Sequence, residues 1–184
     1  MQYIRVLLKG AQFFAMQILL STQQLHVTIK RLAHQLIENY TSLENVVFIG
    51  IQPRGVRISE LVVKQVKLLC PQDAVQHGLL DITFYRDDIR EEFHVASQTE
   101  LPFSIEGKIV VLIDDVLYTG RTIRAALDAL QDFGRPQKVE LCVLVDRRFN
   151  RELPIQPDYR GIAIDSVVSQ KVKIEWEREE VVMY

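Results

Sequence analysis

The feature that most constrains this chain is a continuous apolar run, Val110-Val111-Leu112-Ile113, that leads into Asp114-Asp115 and then Val116-Leu117-Tyr118-Thr119-Gly120-Arg121-Thr122. A run without alternation reads as a strand covered on both faces, which occurs chiefly in parallel sheets. The glycine- and hydroxyl-bearing turn precedes an amphipathic stretch, Gly120 to Phe133, that ends at Gly134 with Pro136 just beyond. Strand, turn and helix in that order place the turn at the carboxyl end of a sheet, where open α/β folds bind ligands.

The other segments extend this pattern. Ser21 with Gln24 has the spacing of a capping box, and Leu25, Ile29, Leu32 and Leu36 mark a helical face running to Tyr40. Val46 to Ile51 reads as a second covered strand, followed by the turn Gln52-Pro53-Arg54-Gly55 and a helix closed by Cys70-Pro71. Gly78 to Tyr85, Lys108 to Ile113 and Val139 to Val145 read as further strands, and Arg86 to Thr99 as a charged loop. Short strands are expected at Gly161 to Ile164, Val172 to Trp176 and Val181 to Tyr184. Strands alternating with helices predict an α/β domain with a mostly parallel sheet flanked by helices.

At 184 residues the chain suits one domain, expected over residues 16–184. Residues 1–15 read as an N-terminal extension, as from an upstream start codon, with Met16 opening the domain. Arg5, Lys9, Gln12 and Gln17 interrupt the apolar N-terminus, so neither a membrane span nor a signal peptide is expected. A net charge of −2 excludes a chain that is basic overall, and nucleic acid would need a local patch. Cys70 and Cys142 have no metal-ligand spacing and form no disulfide framework, which fits the reducing cytoplasm. The four histidines, His26, His34, His77 and His94, are scattered.

The chemistry points to a sugar phosphate. A helix N-terminus offers unpaired N–H groups and a partial positive charge to an anion, and Gly120 allows close approach. Asp114 and Asp115 would repel that phosphate, so they call for a hydroxyl-rich group or a metal beside it. A ribose 5-phosphate supplies both the phosphate and the hydroxyls.

The thirteen-residue segment resembles the signature for 5-phosphoribosyl-1-pyrophosphate (PRPP) in type I phosphoribosyltransferases. Ile49 to Gly55 resembles the pyrophosphate loop of that superfamily, and Asp81 to Asp88 resembles the start of its closing loop. Arg151-Glu152-Leu153-Pro154-Ile155 with Pro157-Asp158-Tyr159 and Gly161 resembles the hood over the base. Together these resemble the bifunctional pyrimidine-operon attenuator and uracil phosphoribosyltransferase family, PyrR, from about Ile18 to the C-terminus. Two departures stand out. Pro53 replaces the family's usual threonine, and Arg147-Arg148-Phe149-Asn150 is one residue longer than usual and lacks a histidine.

The resemblance implies the type I phosphoribosyltransferase fold with a small hood subdomain. It also implies conversion of uracil and PRPP to UMP and pyrophosphate, with Mg²⁺ carried mainly on PRPP and contacted at most by Asp114 or Asp115. Asp114, Asp115 and Arg54 would be catalytic. Substrate would be bound by residues 114–122, by Pro53, Arg54 and Gly55, and by Tyr85 and Arg86. A leader mRNA would meet Lys30, Arg31, Arg147, Arg148 and Arg151, and a dimer or tetramer is expected. Two alternatives stand beside this reading. One is an RNA-binding attenuator that keeps the nucleotide site as a sensor. The other is a hypoxanthine-type purine enzyme, which Asp146 disfavours because it stands where such enzymes carry a lysine donor.

Overall fold

A computed structural model describes residues 4–9, 12–87 and 98–184, with side chains from Met16 onward. The elements run β1 Ile4–Lys9, β2 Gln12–Leu20, α1 Thr22–Glu38, β3 Val46–Ile51, α2 Gly55–Leu69 and β4 Gln76–Leu80. They continue with β5 Ile109–Leu117, α3 Arg121–Leu130, β6 Lys138–Arg148, β7 Tyr159–Asp165, β8 Val172–Glu175 and β9 Glu180–Met183.

Five strands form a sheet in the order β4-β3-β5-β6-β7, and every neighbouring pair is parallel. Alternate side chains leave the sheet on opposite faces. Phe48, Val111, Ile113 and Leu144 pack with α1 and α2 on one side, while Ile49, Val110, Leu112 and Val143 pack with α3 on the other. The chain moves outward from β3 to β4, then returns to β5 and proceeds the other way to β7. This reversal between β3 and β5 leaves a crevice at their carboxyl ends.

The second sheet is antiparallel, with strand order β1-β2-β9-β8. Val172, Ile174, Val181 and Met183 from this sheet join the core cluster beneath α1 and α2. Strand β2 meets β9 from Gln17 onward, whereas its earlier residues pair with β1 alone.

Local sequence explains the ends of the elements. Ser21 accepts from the Gln24 amide, and the Gln24 side chain accepts from the Ser21 amide, which completes the capping box of α1. Gly55 lets α2 begin against β5, since a Cβ there would lie 2.4 Å from the Ile113 carbonyl oxygen. Cys142 is fully buried, and burial pushes its thiol pKa up to about 12, so it behaves as a small apolar residue.

Three expectations need correction. Strand β4 covers Gln76–Leu80, and the chain then turns through a short 3₁₀ helix at Thr83–Tyr85 where a strand was expected. Strand β5 continues through the two aspartates to Leu117 because β6 runs alongside, pairing Asp114 with Val143 and Leu117 with Asp146. Strand β6 likewise reaches Arg148, supported by β7. Of the expected loop from Arg86 to Thr99, residues 88–97 lie outside the described residues.

Candidate active site

A cleft of about 390 Å³ opens at the reversal point between β3 and β5. Gln52, Pro53 and Arg54 enter it from the end of β3, and Asp114 to Ile123 enter it from β5 and the start of α3. Arg86, Arg147, Glu152 and Val172 complete the walls.

Asp114 and Asp115 are each 4% exposed. Asp114 Oδ1 accepts from the Asp115 amide at 2.8 Å, and Asp115 Oδ1 accepts from the Val116 amide at 2.7 Å. Arg54 Nε lies 3.1 Å from Asp115 Oδ2. Burial and then the charge of Asp115 hold the Asp114 carboxyl well above the usual carboxylate range. Burial also raises Asp115, while Arg54 pulls in the opposite direction. Two adjacent buried carboxylates with one arginine between them and solvent favour a further cationic or hydroxyl-bearing group in the cleft.

The turn that follows suits an anion. Gly120 is the N-cap of α3 at φ +96°, a conformation that residues with a Cβ rarely adopt. A Cβ there would also meet Leu153 and Ile155 at 3.3 Å. Thr122 Oγ1 lies 3.4 Å from an Arg86 guanidinium nitrogen. Arg121 pairs with Glu152 at 2.6 Å, and Arg124 pairs with Asp87 at 2.6 Å, which ties the chain after the 3₁₀ helix to the first turn of α3.

Most of the expected substrate residues come together here. Pro53, Arg54, Arg86 and the whole run 114–122 line the cleft. Gly55 acts from behind, by letting α2 approach β5. Tyr85 lies elsewhere: its hydroxyl donates to Asp132, and its ring packs with the cluster around α3.

The basic residues expected to meet RNA divide into two groups. Arg31 donates to the Arg160 and Gly161 carbonyls. Arg147 is 5% exposed, bonds Ser166 Oγ and the carbonyls of Val167 and Gln170, and lies 3.9 Å from the centre of the Tyr118 ring. Arg151 donates to the Tyr118 carbonyl and to Asp146. These three guanidinium groups are hydrogen-bonded within the chain, Arg31 at an exposed position, while Lys30 and Arg148 are exposed, the latter paired with Asp165.

Gln52 and Glu152, from the expected pyrophosphate loop and hood, line the cleft together with Val172, which no motif indicated, and Arg147 belongs to the cleft as well as to the basic group. Gln52 directly precedes the Pro53-Arg54 turn, a signal available in the sequence. Val172 arrives from the second sheet through tertiary folding that periodicity does not show.

A family model for the phosphoribosyl transferase domain matches residues 16–178, so the fold is that of this enzyme class. Solved structures agree in fold. A hypoxanthine phosphoribosyltransferase from Staphylococcus aureus superposes with a TM-score of 0.65 at 24% identity, covering 81% of this chain and 77% of that one. Among curated proteins, the bifunctional protein PyrR of Haemophilus ducreyi is 47% identical over 163 residues, 88% of this chain and 90% of its own. PyrR of a Picosynechococcus species is 47% identical over 157 residues, 85% of this chain and 88% of its own. The chain therefore belongs to the PyrR family of phosphoribosyl transferases.

Proposed function

We propose that this protein transfers the phosphoribosyl group of PRPP to uracil, giving UMP and pyrophosphate. The observation that carries the reading is the buried Asp114-Asp115 pair between the Arg54 loop and the N-terminus of α3. The turn from Tyr118 to Thr122 receives the 5-phosphate on backbone amides and hydroxyls. Asp114 and Asp115 bind the ribose hydroxyls and lie near the positive charge that develops at C1 as pyrophosphate departs. Arg54 faces the leaving group, and Arg86 sits where it can meet the bound nucleotide. Fixed charges of this kind act by positioning and by stabilising the transition state.

The two carboxylates supply hard oxygen donors suited to Mg²⁺, with Asp114 or Asp115 as candidate contacts. The ion would supply charge neutralisation to the leaving group.

Asp146 presents no donor to an oxopurine. Its carboxylate is taken up by Arg151 and lies 3.7 Å from Arg160, which supports uracil over hypoxanthine or guanine. UMP-dependent binding of a pyrimidine-operon leader RNA, with Lys30 and Arg148 exposed to meet it, belongs to the same proposal, as does a homodimeric or tetrameric assembly in the cytoplasm. No helix among the described residues is long and apolar enough to cross a membrane. The test is release of pyrophosphate and formation of UMP from uracil and PRPP by the purified protein. Absence of both products would overturn the reading.

A further inference from the structure

We propose that Arg151, held in place by Asp146, is a positioning residue that sets the polarity of the phosphate loop, which deepens the function proposed above and rests on it. The loop carbonyls are held by donors from the segment after β6. One guanidinium nitrogen of Arg151 donates to the Tyr118 carbonyl and lies 3.4 Å from the Arg147 carbonyl, and the other donates to Asp146 Oδ1. The next carbonyl, of Thr119, accepts from the Glu152 and Leu153 amides at 3.0 and 3.3 Å.

A trans peptide is planar, and its N–H points opposite to its C=O. Holding the carbonyls of Tyr118 and Thr119 therefore turns the amides of Thr119 and Gly120 the other way. Those amides belong to residues that line the cleft, so the loop offers donors, and its repelling oxygens are engaged elsewhere. An unheld loop could rotate these peptides and present oxygen to a phosphate.

Asp146 explains why an arginine can perform this task while mostly buried. Its carboxylate is 4% exposed and pairs with an Arg151 side chain that is 20% exposed. Either charge alone would be poorly solvated, and together they hold the fork of Arg151 in one orientation. Asp146 thus acts through Arg151 on the phosphate end of the cleft.

The test measures dissociation constants of the purified full chain for PRPP, UMP and pyrophosphate by calorimetry. PRPP and UMP carry the 5-phosphate, and pyrophosphate does not. Arg151→Met should weaken PRPP and UMP by about tenfold or more, the effect of losing one charge-assisted hydrogen bond in a polarised site. Pyrophosphate affinity should stay within about twofold, because the Arg54 loop is untouched. If Arg151→Met fails to fold, the double variant Asp146→Asn/Arg151→Met removes the stranded charge and should show the same selective loss. Unchanged PRPP and UMP affinities, or an equal loss for pyrophosphate, would overturn the proposal. Unmodified protein that binds neither PRPP nor UMP would overturn the function reading, and this inference with it.

Discussion

Arg54 reaches from solvent to a buried carboxylate: its side chain is 59% exposed, that of Asp115 is 6% exposed, and the two meet at 3.1 Å. With its outer face already wet, the arginine can meet an arriving pyrophosphate while it stays beside Asp115. Arg54→Ala should lower kcat/KM for PRPP by about 10² or more, the size seen when one preorganised charge-stabilising group is removed. Uracil KM should change little. Steady-state kinetics with each substrate varied separately check this, and an unchanged PRPP dependence would place the leaving group elsewhere.

Asp114→Asn should lower kcat/KM by a similar factor of about 10² while making the ligand-free protein more stable. The folded pKa of Asp114 is raised by burial and by Asp115. The unfolded chain therefore ionises first, from about pH 4 upward. The penalty for an ionised buried carboxylate is absent below that pH, grows as pH rises, and levels off above the folded pKa. The Tm advantage of Asp114→Asn should follow the same course, near zero in acid and largest at neutral pH. Thermal denaturation of both proteins from pH 4 to pH 8 measures it. A variant less stable than the parent at pH 7 would show that the ionised carboxylate supports the fold.

Deletion of residues 1–15 should leave the domain intact. Strand β2 touches β9 through Gln17, Ile18 and Leu20, while residues 4–15 pair mostly among themselves and reach the rest of β2 only through Arg5 with Met16 and Ile4 with Gln17. The phosphoribosyl transferase match also begins at residue 16. A truncated chain starting at Met16 should keep its Tm within a few degrees and its activity within about twofold. A truncated protein that aggregates or loses activity would show that the hairpin is structural.

Leader-RNA binding should depend on Arg148 more than on Arg147. Arg148 is exposed and its pairing with Asp165 is a surface one, whereas Arg147 is spent on Ser166, two carbonyls and the Tyr118 ring. Arg148→Ala should weaken RNA binding and flatten its salt dependence while leaving activity near that of the parent. Arg147→Ala should reduce activity. Titrations of a pyrimidine-operon leader RNA at several salt concentrations, with and without UMP, separate the two. Equal RNA loss in both variants would contradict this division.

The parallel sheet and the cleft could be read from the sequence because each rests on local chemistry. The unbroken runs Val46–Ile51 and Val110–Ile113 declare covered strands, and Gly120 before an amphipathic stretch declares the turn. What could not be read depends on partners distant in sequence. Strands β5 and β6 outrun their apolar segments because each is paired along its length, so Asp114, Asp115, Asp146 and Arg147 lie within strands. The same distance hides Arg151. Its sequence context suggests a surface cation near the hood, and although Asp146 is only 5 residues away, its other partner, the Tyr118 carbonyl 33 residues earlier, becomes visible only when β5 and β6 lie side by side.

The most direct test of the whole account is a comparison of bases at fixed PRPP. Uracil, hypoxanthine, guanine and adenine are supplied separately to the purified protein, and kcat/KM is measured for each. A site without a lysine donor at position 146 should leave the oxopurine carbonyl unpaired, which costs roughly 10² or more in discrimination. The account predicts UMP as the dominant product, with kcat/KM for uracil exceeding that for each purine by at least about this factor. Efficient synthesis of IMP or GMP, at rates equal to or above UMP, would contradict it.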